Sequence, residues 1–219
     1  MKVTALKEVC YDPSVFLNVE TVDDAVQIIL TPDAGISSHH RWKTEAPFLM
    51  EILARHIKAK SLVFDFGCGI GRMAKPLIEM LQCRVVGVDI SPNMRGLAAS
   101  CVESGDFLAM PPEMLDLLGD ETFDAALSIW VLQHCLELEA DISHITRVLK
   151  TGGVLFLLNN LFSRALPSND GRWLDDGKDV DKMIIAAGFE CLERGHLQGA
   201  EIAPEWLATQ TFWAVYRKL

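Results

Sequence analysis

The chain has 219 residues, of which 50% are hydrophobic and 23% are charged, and its formal net charge at pH 7 is −10. This length and composition predict one domain with a sizeable core and leave little room for a second full domain or for disorder. The negative charge offers no basic surface for a phosphate backbone, so nucleic acid is a poor default partner, and we expect a small or neutral substrate.

Location and metal content are also predicted from composition. The amino terminus has no apolar core of signal-peptide length, and no stretch approaches the roughly 18 apolar residues of a membrane span, so we expect a cytoplasmic protein without a membrane partner. The six cysteines include no Cys-x-x-Cys pair, and adjacent His39 and His40 lack further ligands at a recognisable spacing. We therefore expect no bound metal. The sequence leaves the oligomeric state open.

The first part of the chain, residues 1–60, reads as helices and loops. Thr21 is followed three residues later by Asp24, which predicts a capped short helix. The stretch "TPDAGISSHHRW" is predicted as a loop, and "KTEAPFLMEILARHI" is predicted as a second helix. We assign residues 1–60 to an N-terminal helical cap.

From residue 61 onward, apolar runs of strand length alternate with amphipathic stretches, which is typical of repeated βα units and a mostly parallel sheet. The predicted strands are 61–66, 84–89, 100–103, 123–129, 153–158, 189–196 and 210–217. The predicted helices lie near 71–82, 92–99, 111–118, 139–149 and 178–187. Too little chain separates the last two strands for an ordinary helical crossover, so we expect an antiparallel hairpin at one sheet edge. Residues 61–219 are thus predicted to form one doubly wound, seven-stranded α/β domain.

The stretch "VFDFGCGIGRMAKPL" places Gly67, Gly69 and Gly71 in the turn between the first strand and the first helix. Glycines there permit positive φ and let a ligand approach the backbone, while the open amides at the helix start favour an anionic group. Asp89 ends the next strand, where a carboxylate accepts hydrogen bonds from a ribose diol. Together these features indicate an adenosine-containing ligand.

Two ligand classes fit this pattern, dinucleotides and S-adenosylmethionine. The dinucleotide fingerprint ends in a small residue where this chain has Arg72. The spacing G-x-G-x-G preceded by Asp65 resembles instead the class I S-adenosylmethionine-dependent methyltransferases. Further stretches resemble that family in the same order along the chain, namely "GVDISPNM", "SGDF", "FDAALSIWVLQH" and "LKTGGVLFLL".

This resemblance implies S-adenosylmethionine as the cofactor and assigns residues to its parts. Asp89 would bind the ribose hydroxyls and Ile90 would contact the adenine. The Asp106 side chain and the Phe107 backbone would read the adenine edge. The methionine end would lie against Asp65 and the glycine loop, and the sulfonium would lie beside the backbone of the two residues Ile129 and Trp130.

The identity of the methyl acceptor is harder to predict from the sequence. The cofactor supplies the electrophilic carbon, so members of such a family need not share a catalytic residue. His134 follows the fourth strand and is the candidate base, with a structural histidine as the alternative. His39 and Trp42 would line an acceptor pocket if the cap closes over the cofactor; otherwise they belong to a solvated loop. Asn160 and Trp173 follow the fifth strand, where ligand-contacting loops lie, and Trp173 fits a packing role equally well.

We therefore expect methyl transfer from S-adenosylmethionine to an O or N atom of a small molecule. The alternatives are an NAD(P)-dependent oxidoreductase and a non-catalytic module that binds an adenosine ligand. We further expect the side chains of Trp42, Trp130, His134 and Asn160 to converge on one cavity beside the sulfur.

Overall fold

The structure is a computed structural model, and it describes residues 9–32, 35–161, 164–197, 202 and 205–219. Its centre is a seven-stranded sheet in the order β3-β2-β1-β4-β5-β9-β8. The strands are β1 Leu62–Phe66, β2 Arg84–Val88, β3 Phe107–Met110, β4 Phe123–Ile129, β5 Leu149–Asn160, β8 Phe189–Gly195 and β9 Thr211–Lys218. A separate two-stranded hairpin pairs β6 Leu166–Pro167 with β7 Trp173–Leu174.

The helices cover both faces of this sheet. They are α1 Ser14–Leu17, α2 Val22–Ile29, α3 Ser38–His56, α4 Ala74–Leu81, α5 Pro92–Val102, α6 Leu138–Val148, α7 Val180–Ala186 and α8 Glu205–Gln210, with 3-10 turns at Pro112–Leu117 and Leu132–His134. The face that carries α3 and α4 holds one buried cluster, and the face that carries α6 and α7 holds the other. No described helix is long and apolar enough to cross a membrane.

The predicted fold class is confirmed. Strands β1 to β5 pair in parallel, while β9 runs antiparallel to both β5 and β8. The last two strands therefore form the expected antiparallel hairpin at one sheet edge, with β9 on its inner side. The connection between them, residues 196–210, contains α8, and its residues 198–201, 203 and 204 lie outside the described residues.

Three predicted elements are corrected. Residues 100–103 are not a strand, because α5 continues to Val102 and buries Met94, Ala98 and Val102 on one helical face, so β3 begins only at Phe107. The predicted helix at 111–118 is a 3-10 turn. The predicted loop before Lys43 is helical from Ser38 onward, since the Ser37 side chain accepts a hydrogen bond from the His40 amide and caps α3.

The N-terminal residues are joined to the rest of the molecule at several places. Helix α2 begins with the predicted capping box of Thr21 and Asp24. Helix α3 and its C-cap residue contribute five residues to the main core, each at most 4% exposed: Leu49, Met50, Ile52, Leu53 and Ile57. Residues 10–12 form a strap on the β6–β7 hairpin, in which the Asp12 amide donates to the Pro167 carbonyl at 3.0 Å and Tyr11 bridges to Ser168.

Candidate functional site

A cavity of about 440 Å³ opens at the carboxyl ends of the parallel strands. Its walls come from the loop after β1, the residue after β2 and the residues after β4, which meet because parallel neighbours end at the same edge of the sheet. Ile28 and Ile29 of α2 and Phe16 of α1 line it as well. This volume suits a small organic ligand.

The glycine loop folds tightly against the end of β2. The amides of Gly67 and Cys68 both donate to the Val88 carbonyl, at 2.8 and 3.0 Å. Gly67 has a φ of +82°, and a Cβ built there would lie 2.2 Å from Cγ2 of Val131. Glycine is therefore required at this position by both backbone conformation and space.

Asp89 is held by this loop. Its carboxylate accepts a hydrogen bond from the Gly69 amide and another from the Ser91 amide, both at 2.8 Å. Burial raises the pKa of Asp89, and the two amide donors oppose that shift. A carboxylate has about four lone-pair positions, so two remain for a ligand. Ile90 beside it lines the cavity with a side chain that is 45% exposed.

Asp65 and Arg72 lie on the other side of the glycine loop, and both line the cavity. Burial raises the pKa of Asp65 to about 7; the Arg72 guanidinium opposes this shift, and Asp89 adds to it. The Nη1 group of Arg72 donates to Glu45 at 2.9 Å, whereas its buried Nη2 has no hydrogen-bond partner among the described residues. The site thus offers an acidic group and an unpaired donor to one ligand.

Glu45 of α3 joins both walls of the cavity. Its fully buried carboxylate accepts hydrogen bonds from Arg41 at 3.0 Å, from Arg72 at 2.9 Å and from the Trp130 indole at 2.8 Å. The Arg41 guanidinium also lies 5.7 Å from the centroid of the Trp130 ring. Trp130 has a φ of +63°, so this contact holds a side chain whose backbone is in the left-handed region.

His134 is partly buried and lines the cavity away from the glycine loop. Its Nδ1 donates to the Ala165 carbonyl at 2.7 Å, because a carbonyl only accepts, and this leaves Nε2 to accept from the Gln133 amide at 3.2 Å. Burial lowers the pKa of His134. The ring is therefore neutral at pH 7, with both nitrogens engaged.

Comparisons with known proteins show what this chain resembles. A family model described as a methyltransferase domain matches residues 64–157. The ubiquinone biosynthesis O-methyltransferase of Agrobacterium fabrum is 29% identical over 153 residues, 60% of either chain. A crystallised S-adenosylmethionine-dependent methyltransferase of Mesorhizobium loti has a TM-score of 0.64 and 18% identity, over 81% of this chain and 100% of that one. Residues 64–157 are thus similar to a methyltransferase domain, and the fold is that of the class I S-adenosylmethionine-dependent methyltransferases.

Two facts limit what these similarities show. The chain spans 60% of the length of the Agrobacterium relative and 66% of the length of a relative from Rhizobium johnstonii. The [4+2]-cyclase SpnF shares its fold, with a TM-score of 0.65 and 20% identity over 80% of this chain and 82% of that one. The fold alone therefore does not determine the reaction.

The structure brings together eight of the residues that the sequence singled out. The described lining of the cavity includes Asp65, Gly67, Gly69, Asp89, Ile90, Ile129, Trp130 and His134. Gly71 and Phe107 pack behind the loop, where a Cβ on Gly71 would lie 3.6 Å from the Phe107 ring. Gly71 and Phe107 therefore support the glycine loop and are not part of the described cavity lining.

Asp106 does not lie where the family resemblance put it. It precedes β3, so it sits at the amino end of that strand, the edge opposite the cavity, and its carbonyl accepts from the Val85 amide. The assignment rested on the resemblance of "SGDF" to a family motif, and the predicted strand at 100–103 agreed with it because Asp106 would then have followed the strand. Pro112, which follows β3, lines the cavity instead.

The four proposed acceptor residues lie outside the described cavity lining. His39 is exposed on α3 and pairs with Asp23 at 3.0 Å. The Arg72 guanidinium lies over the Trp42 ring, 5.7 Å from its centroid. The backbone N–H of Asn160 donates a hydrogen bond to the side-chain oxygen of Gln133. Trp173 is 53% exposed and packs on His134 with ring centroids 5.6 Å apart. The expected convergence of four side chains is thus corrected to two, Trp130 and His134.

The sequence reading missed the charged cluster on α3. Arg41 and Glu45 stand at i and i+4, the spacing at which helical side chains pair, but this spacing carries information only if residues 38–45 are helical. The Ser37 cap was the available signal. Arg72 was noted as a departure from the dinucleotide pattern, and its place in the cavity wall was not inferred.

Proposed function

We propose that this chain binds S-adenosylmethionine and transfers its methyl group to an O or N atom of a small-molecule acceptor. The observation that carries the proposal is one cavity in which Asp89 retains acceptor capacity and buried Nη2 of Arg72 lacks a protein partner. A ligand with a ribose diol and an amino-acid end would satisfy both groups. The relatives named as methyltransferases support the reaction.

The residues present fit this cofactor. Asp89 would accept from the ribose hydroxyls, and the exposed Ile90 side chain would pack on the adenine. The carboxylate of the methionine end would take the free donor of Arg72, and its ammonium would lie near Asp65, whose ionised form it would stabilise. When bound, the cofactor supplies a methyl carbon activated by positively charged sulfur. Ile129 and Trp130 would border that sulfur.

Binding is tested by calorimetry with S-adenosylhomocysteine and, separately, with NAD. We expect the first to bind and the second not to bind. Asp89→Asn should weaken S-adenosylhomocysteine about tenfold or more, since hydrogen bonds to a charged acceptor are worth about 1.5–3 kcal/mol each. Unchanged affinity in this variant would refute the ribose assignment, and NAD binding would favour the oxidoreductase alternative. Binding without methyl transfer to any acceptor would favour the non-catalytic module.

His134 is proposed to orient or deprotonate the acceptor. This role would belong to Nε2, which would exchange its hydrogen bond from the Gln133 side-chain amide for one with the acceptor. His134→Ala should retain S-adenosylhomocysteine affinity and lose turnover by about 10²–10⁴-fold, the range for a general base. Turnover is measured by mass spectrometry on an acceptor found by screening, and full activity in the variant would leave His134 a structural role.

A further inference from the structure

The cavity extends past His134 into a region that we call the acidic lobe. Its described walls are Tyr11 and Phe16 from the N-terminal segment, and residues 134–137 and Asp141 from the chain leading into α6. None of these residues belongs to the glycine loop or to the end of β2. The lobe therefore offers space beyond the groups that we assign to the cofactor.

Most polar groups of the lobe already have protein partners. The Tyr11 hydroxyl donates to the His134 carbonyl at 3.3 Å, and the Cys135 thiol lies 3.5 Å from the Val131 carbonyl. Both nitrogens of His134 are engaged as described above. The carboxylates of Glu137 and Asp141 are the groups left with acceptor capacity for a ligand.

The charge of the lobe is negative. Among the described lining residues of the whole cavity, the one cation is Arg72, which lies at the glycine loop and is bound to Glu45. Arg164 does not line the cavity, but its buried guanidinium, which pairs with Asp176, opposes the rise that burial causes in the pKa of Asp141 and offsets part of the negative charge of the lobe. The described lining of the lobe itself holds the carboxylates of Glu137 and Asp141 and no cation, so it favours a neutral or cationic group over an anion.

We propose that the acidic lobe binds the methyl acceptor, and that Asp141 selects an uncharged or cationic acceptor over an anionic one. This inference rests on the proposed function and names its substrate class. The acceptor is a flat, largely apolar molecule that fits beside Tyr11 and Phe16 and presents a hydroxyl or amino hydrogen to the Asp141 carboxylate. Aromatic walls suit such a ring and tolerate a cation at its edge.

Three probes that differ mainly in charge test this selection: tyramine, 4-ethylphenol and 4-hydroxyphenylacetate. Each is titrated into the full chain saturated with S-adenosylhomocysteine, and binding is followed by ligand-observed NMR. We expect tyramine to bind most tightly and 4-hydroxyphenylacetate least tightly. Asp141→Asn should weaken tyramine about tenfold to a hundredfold, because it removes a charged acceptor, and should strengthen 4-hydroxyphenylacetate.

Glu139→Gln is the matched control. It makes the same change of charge on the same helix, but the Glu139 carboxylate is exposed and pairs with Lys178 outside the cavity. This variant should keep the order and affinity of all three probes. Melting temperatures of both variants establish that they are folded.

The outcomes separate this inference from the proposed function. Absence of S-adenosylhomocysteine binding to the unaltered chain would refute the proposed function itself. If S-adenosylhomocysteine binds but none of the probes does, or the anionic probe binds as tightly as tyramine, the acceptor class is wrong. If Asp141→Asn weakens S-adenosylhomocysteine and spares the probes, the lobe belongs to the cofactor and the inference fails.

Discussion

The carboxyl group of Asp65 makes the stability of the ligand-free protein depend on pH. Burial raises the pKa of Asp65 to about 7, whereas an aspartate in an unfolded chain has a pKa near 4. Between these values the folded chain holds a proton that the unfolded chain lacks. The stabilising contribution is therefore fully present below about pH 4 and is lost as the pH rises to about 7, by up to about 1.4 kcal/mol per pH unit.

Urea unfolding at pH 5 and pH 8 measures this effect. We expect Asp65→Asn to show a smaller loss of unfolding free energy between the two pH values than the unaltered chain, because asparagine does not ionise. Other titrating groups are common to both proteins and cancel in the comparison. An identical pH dependence in both would show that Asp65 is ionised throughout.

Removing the charge of Glu45, which is hydrogen-bonded to the cavity residues Arg72 and Trp130, is predicted to lower the free energy of unfolding strongly. Its fully buried carboxylate faces two buried guanidinium groups, and removing one partner of a buried ion pair costs about 3–5 kcal/mol. Glu45→Gln should lower the free energy of unfolding by that amount. Glu51→Gln, on the exposed side of the same helix, is the control and should change it by less than about 0.5 kcal/mol. Equal effects of the two changes would contradict this account.

The glycine loop is the element whose shape matters most to the site. Gly67→Ala incurs the cost of a left-handed backbone and also forces Val131 to move, since the new Cβ would lie 2.2 Å from its side chain. Gly177→Ala incurs the backbone cost alone, because at φ +73° nothing lies within 4 Å. We expect Gly67→Ala to be less stable than Gly177→Ala by about 1–3 kcal/mol in urea unfolding.

Ligand binding provides a second measurement that distinguishes Gly67→Ala from Gly177→Ala. Gly67→Ala should also weaken S-adenosylhomocysteine, since Val131 lines the cavity, whereas Gly177→Ala should bind it normally. Two variants of equal stability and equal affinity would show that the loop and Val131 adjust without cost.

Elements whose sequence fits only one kind of secondary structure were predictable, and elements whose sequence fits both a strand and a helix were not. β1, β2 and β4 were placed within one residue because buried parallel strands are short apolar runs with clear ends. Residues 100–103 form a stretch too short to distinguish a strand from the last turn of a helix, and the packing of Ala98 and Val102 decides for the helix. A strand at 100–103 would have put Asp106 at the cavity edge, whereas Asp106 precedes β3 at the opposite edge.

The part of the site that we propose for the cofactor was accessible to sequence reasoning, because Gly67, Gly69 and Asp89 lie at a fixed, short spacing in the chain. The part that we propose for the acceptor was not. Tyr11 and Asp141 lie 130 residues apart in the chain, and only the tertiary fold places both at the acidic lobe. No local pattern in the sequence could have joined them.

The molecule as a whole depends on the segment that precedes β1. Five residues of α3 and its C-cap are almost completely buried in the main core, and each contributes about 1.5–3 kcal/mol through burial. Their sum, about 7–15 kcal/mol, is comparable to the entire stability of a typical domain. We therefore expect that residues 61–219 do not fold independently of the segment before the boundary predicted at residue 60.

A chain restricted to residues 61–219 tests this dependence. We expect it to lose cooperative thermal unfolding and to bind a hydrophobic dye, because the face of the sheet under α3 is uncovered. A chain that starts at residue 9 should unfold like the full protein, since it retains α3 and the strap. Cooperative unfolding of residues 61–219 would establish them as an autonomous domain.

The strap at residues 10–12 also bears on how the protein is made. Its partners are Pro167, Ser168 and Asn169, so more than 150 residues separate the two sides of this contact. At about 5–20 residues per second, a ribosome needs roughly 8–30 s to add that length. During this interval Tyr11 has no hairpin to pair with. The wall of the acidic lobe is thus completed late in synthesis, after the glycine loop and the strands around it have emerged.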